Sequence, residues 1–242
     1  MFRSVILFGL IAACATMVGA MLVHYNRARA KKYLIHIIGG SAGVLLGATF
    51  IHLLPEAIEL NPYALTFALV AFLLFYLMEQ MIVIHPCDEP NCDTHKLKIG
   101  RVSFLAFAAH SLLDGMAVTV GFSINPTLGF VAALAVILHE LPEGIATMTL
   151  LHYAEYPQRK ALWLTGVVAI ATPVGALITY WFLPWVTTQI QGILLGLVAG
   201  SFLYVAAADL IPETHRAGNK KTFLFMLLGL GFLILVTKFL GH

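Results

Sequence analysis

The sequence predicts an all-α integral membrane protein with eight transmembrane helices. Its 242 residues are 60% hydrophobic and only 11% charged, and the mean hydropathy is +0.90. A soluble domain carries about 25% charged residues, so this chain has too few to cover a water-facing surface. Apolar segments long enough to cross a bilayer recur along the whole chain. We therefore expect a single transmembrane domain over residues 1–242, surrounded by lipid, and the net charge of +2 gives no reason to expect a nucleic-acid partner.

The eight spans are apolar runs separated by shorter polar segments. The first run resembles a signal peptide in length, but its basic residues follow the apolar run instead of preceding it, which favours a retained helix. Glycines in the second span suit close helix packing. The expected spans are residues 2–23, 33–60, 63–84, 102–122, 128–152, 162–183, 190–210 and 222–240.

A polar loop over residues 85–100 follows the third span. Its first part contains two histidines, two cysteines and three acidic residues, which are metal-ligand types. The spacing of Cys87 and Cys92 matches no structural zinc pattern, so chelation by this loop and a plain solvated loop both stay open. The third cysteine, Cys14, lies in an apolar run, and no disulfide framework is implied.

The positions of the basic residues predict the orientation in the membrane. Twelve of the 14 lysines and arginines follow spans one, three, five and seven, and only Arg3 and Lys238 fall on the other side. Basic loops stay in the cytoplasm, so both termini should lie outside a plasma membrane that the chain crosses several times. The loop 85–100 should then be cytoplasmic.

The chain also contains an internal repeat. Residues 52–56 (HLLPE) align without gaps to residues 209–213 (DLIPE), and an Ala-Gly pair precedes each motif at the same distance. A chance match among abundant leucines and glycines is the alternative, but the shared motif favours a true repeat. Spans two and seven run in opposite directions, so the sequence predicts an inverted repeat of spans 1–3 and 6–8 around spans 4 and 5.

Two matching motifs lie in the central spans, HSLLDG at residues 110–115 and HELPEG at residues 139–144. In each motif a histidine and a carboxylate are four residues apart and share one helix face. Both histidines lie about ten residues inside their spans, near the middle of a hydrocarbon core about 30 Å thick, because a helix rises about 1.5 Å per residue. Pro142 has no N–H, so a kink and a freed carbonyl at Leu138 are expected there.

Ionisable groups at this depth are costly unless they have a partner. Imidazole nitrogen and carboxylate oxygen together suit Zn²⁺ and related divalent ions, and Fe²⁺, Mn²⁺ and Cd²⁺ fit the same ligands. The two pairs could form a tetrahedral site, and Glu140, about 100° around the helix, could face a second ion. The predicted ligands of the first ion are His110, Asp114, His139 and Glu143.

Other interpretations of these motifs remain. Each histidine could bond to a backbone carbonyl in the core, and the carboxylates could relay protons without metal. The zinc-protease motif H-E-x-x-H begins with His139 and Glu140, but its second histidine is replaced by Glu143. The duplicated pair at one depth favours a cation site.

The central motifs, the glycine-rich second span ending in HLLPE and the seventh span ending in DLIPE resemble the ZIP family of divalent metal transporters. The resemblance covers essentially the whole chain. It implies eight helices, outside termini and metal movement into the cytoplasm through a site between spans four and five. By motif, the primary site would comprise His110, Asp114, His139 and Glu143, and an adjacent site sharing two of them would comprise Ser111, Asp114, Glu140 and Glu143.

The chain departs from the family pattern at three positions. Many members have Asn where Ser111 stands and Glu where Asp114 stands, and some have Glu where Thr172 stands. A hydroxyl is a weaker ligand than a carboxylate. We therefore expect one tightly bound metal ion and a weak or absent second one.

These observations predict a transporter that takes zinc into the cytoplasm, not an enzyme. Two alternatives stay open: an intramembrane metal-dependent enzyme that activates water, and a transporter mainly of iron or manganese. The sequence leaves a homodimer open. Candidate pathway residues are the polar ends of spans two and seven, His52, Glu56, Asp209 and Glu213.

Overall fold

The computed structural model describes residues 1–25, 27–83, 93–216 and 220–240, and the regular structure in these ranges is helical. Half of the metal-ligand-rich loop, residues 85–92 with Cys87 and Cys92, lies outside them. Within these ranges the chain forms eight long helices: α1 (Phe2–Tyr25), α2 (Arg27–Gly47), α3 (Ala64–Val83), α4 (Asp93–Ile124), α5 (Pro126–Tyr153), α6 (Gln158–Phe182), α7 (Thr188–Tyr204) and α8 (Lys220–Phe239). Two of them continue through a π-helical turn into a short α-helical end: α2 through Ala48–Leu53 to Leu54–Leu60, and α7 through Val205–Leu210 to Ile211–Arg216. Helix α6 continues into a 3-10 turn, Leu183–Trp185.

The prediction of an all-helical membrane protein is confirmed. Among the described residues, seven of these helices are long and apolar enough to cross a membrane, and α3 contributes a shorter apolar stretch, Ala64–Gln80. One boundary of the predicted loop is wrong, because residues 93–100 form the first turns of α4. No proline interrupts the chain between Asp93 and Arg101, so nothing stops the helix from extending beyond its apolar part.

The junction between the two central helices is defined by local chemistry. Asn125 ends α4 and caps α5, because its side-chain oxygen accepts a hydrogen bond from the backbone N–H of Leu128 at 2.8 Å. Pro126 follows at the first helical position, where a missing N–H costs nothing. The two metal-ligand motifs are thereby carried by consecutive helices that pack on each other.

The helices pack as two four-helix bundles. In the first bundle, α4 and α5 pack extensively on each other, α4 packs on α6, α5 packs on α1, and α1 packs on α6. In the second bundle α2 packs on α8, and α3 packs on α7. Contacts between the bundles are mainly those of α2 with α5 and of α4 with α7. The main buried apolar cluster contains residues of both bundles and is rich in alanine and valine.

The internal repeat is visible in both local structure and packing. The π-helical turns Ala48–Leu53 and Val205–Leu210 occupy aligned positions in α2 and α7. A Cβ at Gly43 would lie 2.0 Å from the carbonyl oxygen of Met226 in α8, and a Cβ at the aligned Gly200 would lie 2.0 Å from a carbonyl oxygen of α3. The pairs α2–α8 and α7–α3 are therefore equivalent, as are α5–α1 and α4–α6. This is the pairing expected of an inverted repeat around two central helices.

Candidate metal site

The structure brings the four predicted primary ligands together between α4 and α5. His110 and Asp114 project from one face of α4, and His139 and Glu143 from one face of α5. One ligand atom from each residue can be chosen so that all four atoms lie within 4.8 Å of one another. All four side chains are buried, with exposed fractions between 0% and 7%. Two imidazoles and two carboxylates therefore share one dry pocket.

The distances between these atoms match the edges of a tetrahedral metal site. His110 Nε2 lies 3.3 Å from His139 Nε2, and Asp114 Oδ2 lies 3.4 Å from the first nitrogen and 3.2 Å from the second. A tetrahedral Zn²⁺ ion with bonds of about 2.0–2.1 Å holds its ligand atoms about 3.3–3.4 Å apart. The Glu143 oxygen is farther away, 3.9 Å from His110 Nε2. Three of the four predicted ligands are thus spaced as in a tetrahedral zinc site, and Glu143 lies beside them at a longer distance.

The imidazole of His139 is oriented by its own helix. Its Nδ1 lies 2.8 Å from the carbonyl oxygen of Ala135, and because a carbonyl only accepts, Nδ1 carries the proton. In the neutral imidazole the lone pair is then on Nε2, which faces Asp114 and His110. Such a second hydrogen bond fixes the tautomer of a metal-binding histidine. Asp114 Oδ1 is buried and has no hydrogen-bond partner within the described residues, so this carboxylate keeps an oxygen free for an ion.

Two phenylalanines of the other bundle border the two imidazoles. The ring of Phe75 in α3 lies 5.5 Å from that of His110, and the ring of Phe202 in α7 lies 5.6 Å from that of His139, both nearly perpendicular. These apolar rings exclude water from one side of the site. The low local dielectric strengthens the attraction between the carboxylates and a cation.

Glu140 lies outside this group of four ligands and is held by two threonines. Thr172 of α6 donates a hydrogen bond to Glu140 Oε1, and Thr16 of α1 donates one to Oε2. All three side chains are fully buried. The family pattern marks Thr172 but not Thr16, although residues 15–20 (ATMVGA) align with residues 171–176 (ATPVGA). In the sequence, Thr16 is visible only as a single hydroxyl in an apolar helix. Its bond to Glu140 follows from the packing of α1 on α5, which the sequence does not give.

Ser111 bonds to one of the predicted primary ligands, Glu143. Its hydroxyl donates a hydrogen bond of 2.9 Å to Glu143 Oε1. The other oxygen, Oε2, is the one that faces His110. The resemblance to the family placed Ser111 and Glu140 in one adjacent site, whereas in this structure they have different partners.

Two glycines let the helices around the site approach closely. A Cβ at Gly115 would lie 2.0 Å from the carbonyl oxygen of Thr172, and a Cβ at Gly144 would lie 2.0 Å from the carbonyl oxygen of Thr16. Any side chain at these positions would push α6 or α1 away. The final glycine of each central motif therefore brings a threonine within reach of Glu140.

The candidate pathway residues lie at the two ends of the fold. His52 and Glu56 line a cavity of about 400 Å³, together with Glu59 and Lys238 and the α4–α5 junction at Asn125. This cavity is bounded by both bundles. At the opposite end of the repeat, Asp209 lies in the π-helical turn of α7 and Glu213 in its exposed last turn. Nearby, Tyr204 donates a hydrogen bond to Glu79 of α3.

In the part of the chain that the structure describes, seven membrane-length helices surround a buried group of imidazoles and carboxylates that could hold a metal ion, and this arrangement defines a multi-pass membrane protein. The family model described as ZIP Zinc transporter matches residues 85–237. The chain therefore belongs to the ZIP family, whose members are transporters and not enzymes.

Two of the similar proteins match nearly the full length of this chain, and a third matches about half of it. A protein of Chlorobium luteolum named "Zinc transporter ZupT" is 28% identical over an alignment 240 residues long, which covers 90% of each chain. A protein of the same name from Chlorobaculum parvum is 26% identical over an alignment 254 residues long, gaps included, which covers 96% of this chain and 94% of that protein. The "Zinc transporter zipt-7.1" of Caenorhabditis briggsae is 28% identical over 120 residues, which are 49% of this chain and 31% of the relative.

Proposed function

We propose that this protein carries Zn²⁺ across a membrane into the cytoplasm through the site formed by His110, Asp114, His139 and Glu143. The observation that carries the proposal is the set of 3.2–3.4 Å separations among His110, His139 and Asp114, which suit a tetrahedral zinc ion. Membership of the ZIP family and the zinc transporter names of the relatives support zinc as the cargo. Fe²⁺, Mn²⁺ and Cd²⁺ remain competing cargoes to be tested.

The division into two bundles supports a mechanism in which one bundle moves against the other. All four proposed ligands lie on α4 and α5, so they belong to one bundle and would move with it as a unit. The other bundle contributes Phe75 and Phe202, which cover the two imidazoles. Movement of the first bundle along these rings would expose the ion to one side of the membrane and then to the other.

The ends of the pathway follow from the repeat. We propose that ions enter at the cavity lined by His52 and Glu56, where carboxylates attract cations, and leave near Asp209 and Glu213. The positions of the basic residues support this direction, since they place the α7 end of the pathway in the cytoplasm and both termini outside. A tag at Met1 that is accessible to antibody on intact cells would support that orientation.

We further propose that one ion is carried at a time. Both oxygens of Glu140 accept hydrogen bonds from threonines, and Ser111 is directed to Glu143. These partners satisfy Glu140 within the protein and leave it without a reason to bind a second ion. Glu140 then acts as a fixed negative charge beside the primary site, which favours a dication there.

The test is zinc uptake by proteoliposomes containing the wild-type protein, His139→Ala or Glu143→Ala. We expect zinc-dependent uptake by the wild type and almost none by either variant. His24→Ala is the matched control, because its ring lies at the end of α1 and bonds to Gln158. Competition with Fe²⁺, Mn²⁺ and Cd²⁺ in the same assay ranks the cargoes. Normal zinc uptake by both ligand variants would refute the proposed site.

A further inference from the structure

Pro142 leaves one buried carbonyl of α5 without its helical hydrogen-bond donor. In an α-helix the N–H at position 142 would bond to the carbonyl of Leu138, and proline has no N–H. In this structure the hydroxyl of Ser41 in α2 donates to that carbonyl at 2.6 Å. Ser41 is only 3% exposed, so water has little access to replace it. The carbonyl belongs to the residue directly before His139.

This hydrogen bond connects the two bundles near the depth of the metal site. Ser41 lies on α2 of one bundle, and Leu138 lies on α5 of the other. Gln191 of α7 also crosses, to Ser123 of α4, but that bond is longer, at 3.3 Å, and lies near the ends of both helices. Movement of the segment that carries His139 and Glu143 relative to α2 would therefore change the length of the Ser41 bond.

At the equivalent position of the α4–α7 interface, the described residues form no such bond. The repeat aligns Ser41 of α2 with Val198 of α7, which has no side-chain donor. The two central motifs align Pro142 of α5 with Leu113 of α4, which keeps its N–H. The bond therefore needs two departures from the repeat, a serine on one helix and a proline on the other. Both departures meet at one carbonyl.

We propose that Ser41 is a positioning residue for transport, whose hydroxyl holds the ligand-bearing segment of α5 against α2 in the arrangement seen here and releases it when the bundles move. This inference rests on the proposed function, because it requires the bundles to move. A buried neutral hydrogen bond contributes enough to change a two-state equilibrium about two- to tenfold. Ser41 therefore sets how long the site stays in this arrangement without contacting the ion.

The experiment measures the distance between the bundles by pulsed electron spin resonance. Spin labels replace the exposed residues Trp185 and Phe239 at one end of α6 and α8, and in a second sample Trp163 and Phe223 at the other end. The three natural cysteines are changed to serine. In Ser41→Ala we expect the equilibrium between the distance populations to shift about two- to tenfold away from the arrangement seen here. The zinc dissociation constant, measured in parallel, should stay within about twofold.

Three variants separate this role from general loosening. Ser41→Thr keeps the hydroxyl and should restore the wild-type distribution. Thr119→Val removes a similar buried bond of 2.9 Å, from Thr119 to the Ala176 carbonyl, but inside one bundle, and should leave the distribution unchanged. Pro142→Ala supplies an N–H for the Leu138 carbonyl, so adding Ser41→Ala to it should have a smaller effect than in the wild type.

The possible results are distinct. An unchanged distribution in Ser41→Ala, or an equal shift in Thr119→Val, overturns the positioning role, and so does a single distance population in all samples. The positioning role is also overturned if Ser41→Ala shifts the distance distribution as much in the Pro142→Ala background as in the wild type. Zinc uptake is measured on the same wild-type preparation. If uptake is absent while the Ser41-dependent shift is present, the proposed function fails and the positioning role stands.

Discussion

The two central helices present the same kinds of candidate ligand, a histidine and a carboxylate, but their motifs differ at three positions, one of them being Asp114 on α4 against Glu143 on α5. Helix α4 carries HSLLDG and α5 carries HELPEG, so serine and leucine on α4 correspond to Glu140 and Pro142 on α5. The glycines of the two motifs have equivalent contacts, and the ring of each histidine lies against a phenylalanine of the other bundle. Three of the differing residues have distinct partners: Ser111 bonds to Glu143, Glu140 bonds to two threonines, and Pro142 leaves the Leu138 carbonyl open to the other bundle.

This comparison separates two tasks that one motif could otherwise hide. The positions common to α4 and α5 form the proposed metal site, which needs a contribution from each helix. Two of the positions that differ add a buried carboxylate held by threonines and a hydrogen bond between the bundles, and both additions lie on α5. Helix α4 is thus a ligand helix, whereas α5 also links the site to the rest of the molecule.

Removing a ligand from either helix should have the largest effect, and the effect should be equal on both. We expect His110→Ala, Asp114→Ala, His139→Ala and Glu143→Ala each to weaken zinc binding at least roughly a hundredfold, since even outer-shell changes at metal sites cost about 10–100-fold. Isothermal titration of purified protein measures this. A tenfold smaller loss on α4 than on α5 would break the equivalence of the two helices.

Filling the glycine contacts should be next in size and should destabilise the fold. Gly115→Val and Gly144→Val would each place a Cβ 2.0 Å from a carbonyl oxygen, and we expect a loss of about 1–3 kcal/mol or more from overpacking. Thermal unfolding in detergent reports the loss. Gly231→Ala is the matched control, because nothing lies within 4 Å of a Cβ there. Equal stability of all three variants would contradict the packing described.

The two threonines, Thr16 and Thr172, should stabilise the fold only through their hydrogen bonds to Glu140. Thr16→Val and Thr172→Val should each cost about 1–3 kcal/mol of stability, because a buried carboxylate oxygen loses its donor. In the background of Glu140→Gln the cost should be smaller, which thermal unfolding of the double variants shows. Thr147→Val serves as the control, since its buried hydroxyl has no hydrogen-bond partner in the part of the chain that the structure describes. A cost as large at Thr147 would show that the effect is not specific.

The smallest effect is expected on α4. Ser111→Ala removes one hydrogen bond to Glu143 Oε1 and leaves Oε2, which faces His110, in place. We expect zinc binding to weaken by about two- to tenfold, the usual range for one such bond. The same titration as for the ligand variants measures it. A loss as large as that of Glu143→Ala would mean that Ser111 is itself a ligand.

The sequence predicted those features that depend on spacing within one helix. His110 with Asp114 and His139 with Glu143 could be paired because residues four apart share a helix face. The freed carbonyl at Leu138 followed from the chemistry of Pro142. The repeat was visible because its motifs align without gaps, and the matching π-helical turns support it.

Features that depend on which helices pack together could not be predicted in the same way. Thr16 and Ser41 are single hydroxyls in apolar helices, where a bond to the helix's own backbone is an equally good expectation. Their partners lie 124 and 97 residues away along the chain. The start of α4 was misplaced for another reason: the boundary was drawn where the apolar run begins, and a helix can extend past the membrane into polar sequence.

The most direct test of the metal site is X-ray absorption at the zinc edge of the purified, zinc-loaded protein. The geometry predicts one zinc ion per chain, bound by two imidazole nitrogens and two carboxylate oxygens at about 2.0–2.2 Å. The imidazole contribution should fall by half in His110→Ala or His139→Ala, measured at saturating zinc. A spectrum without imidazole scattering, or one unchanged by both substitutions, would contradict the account.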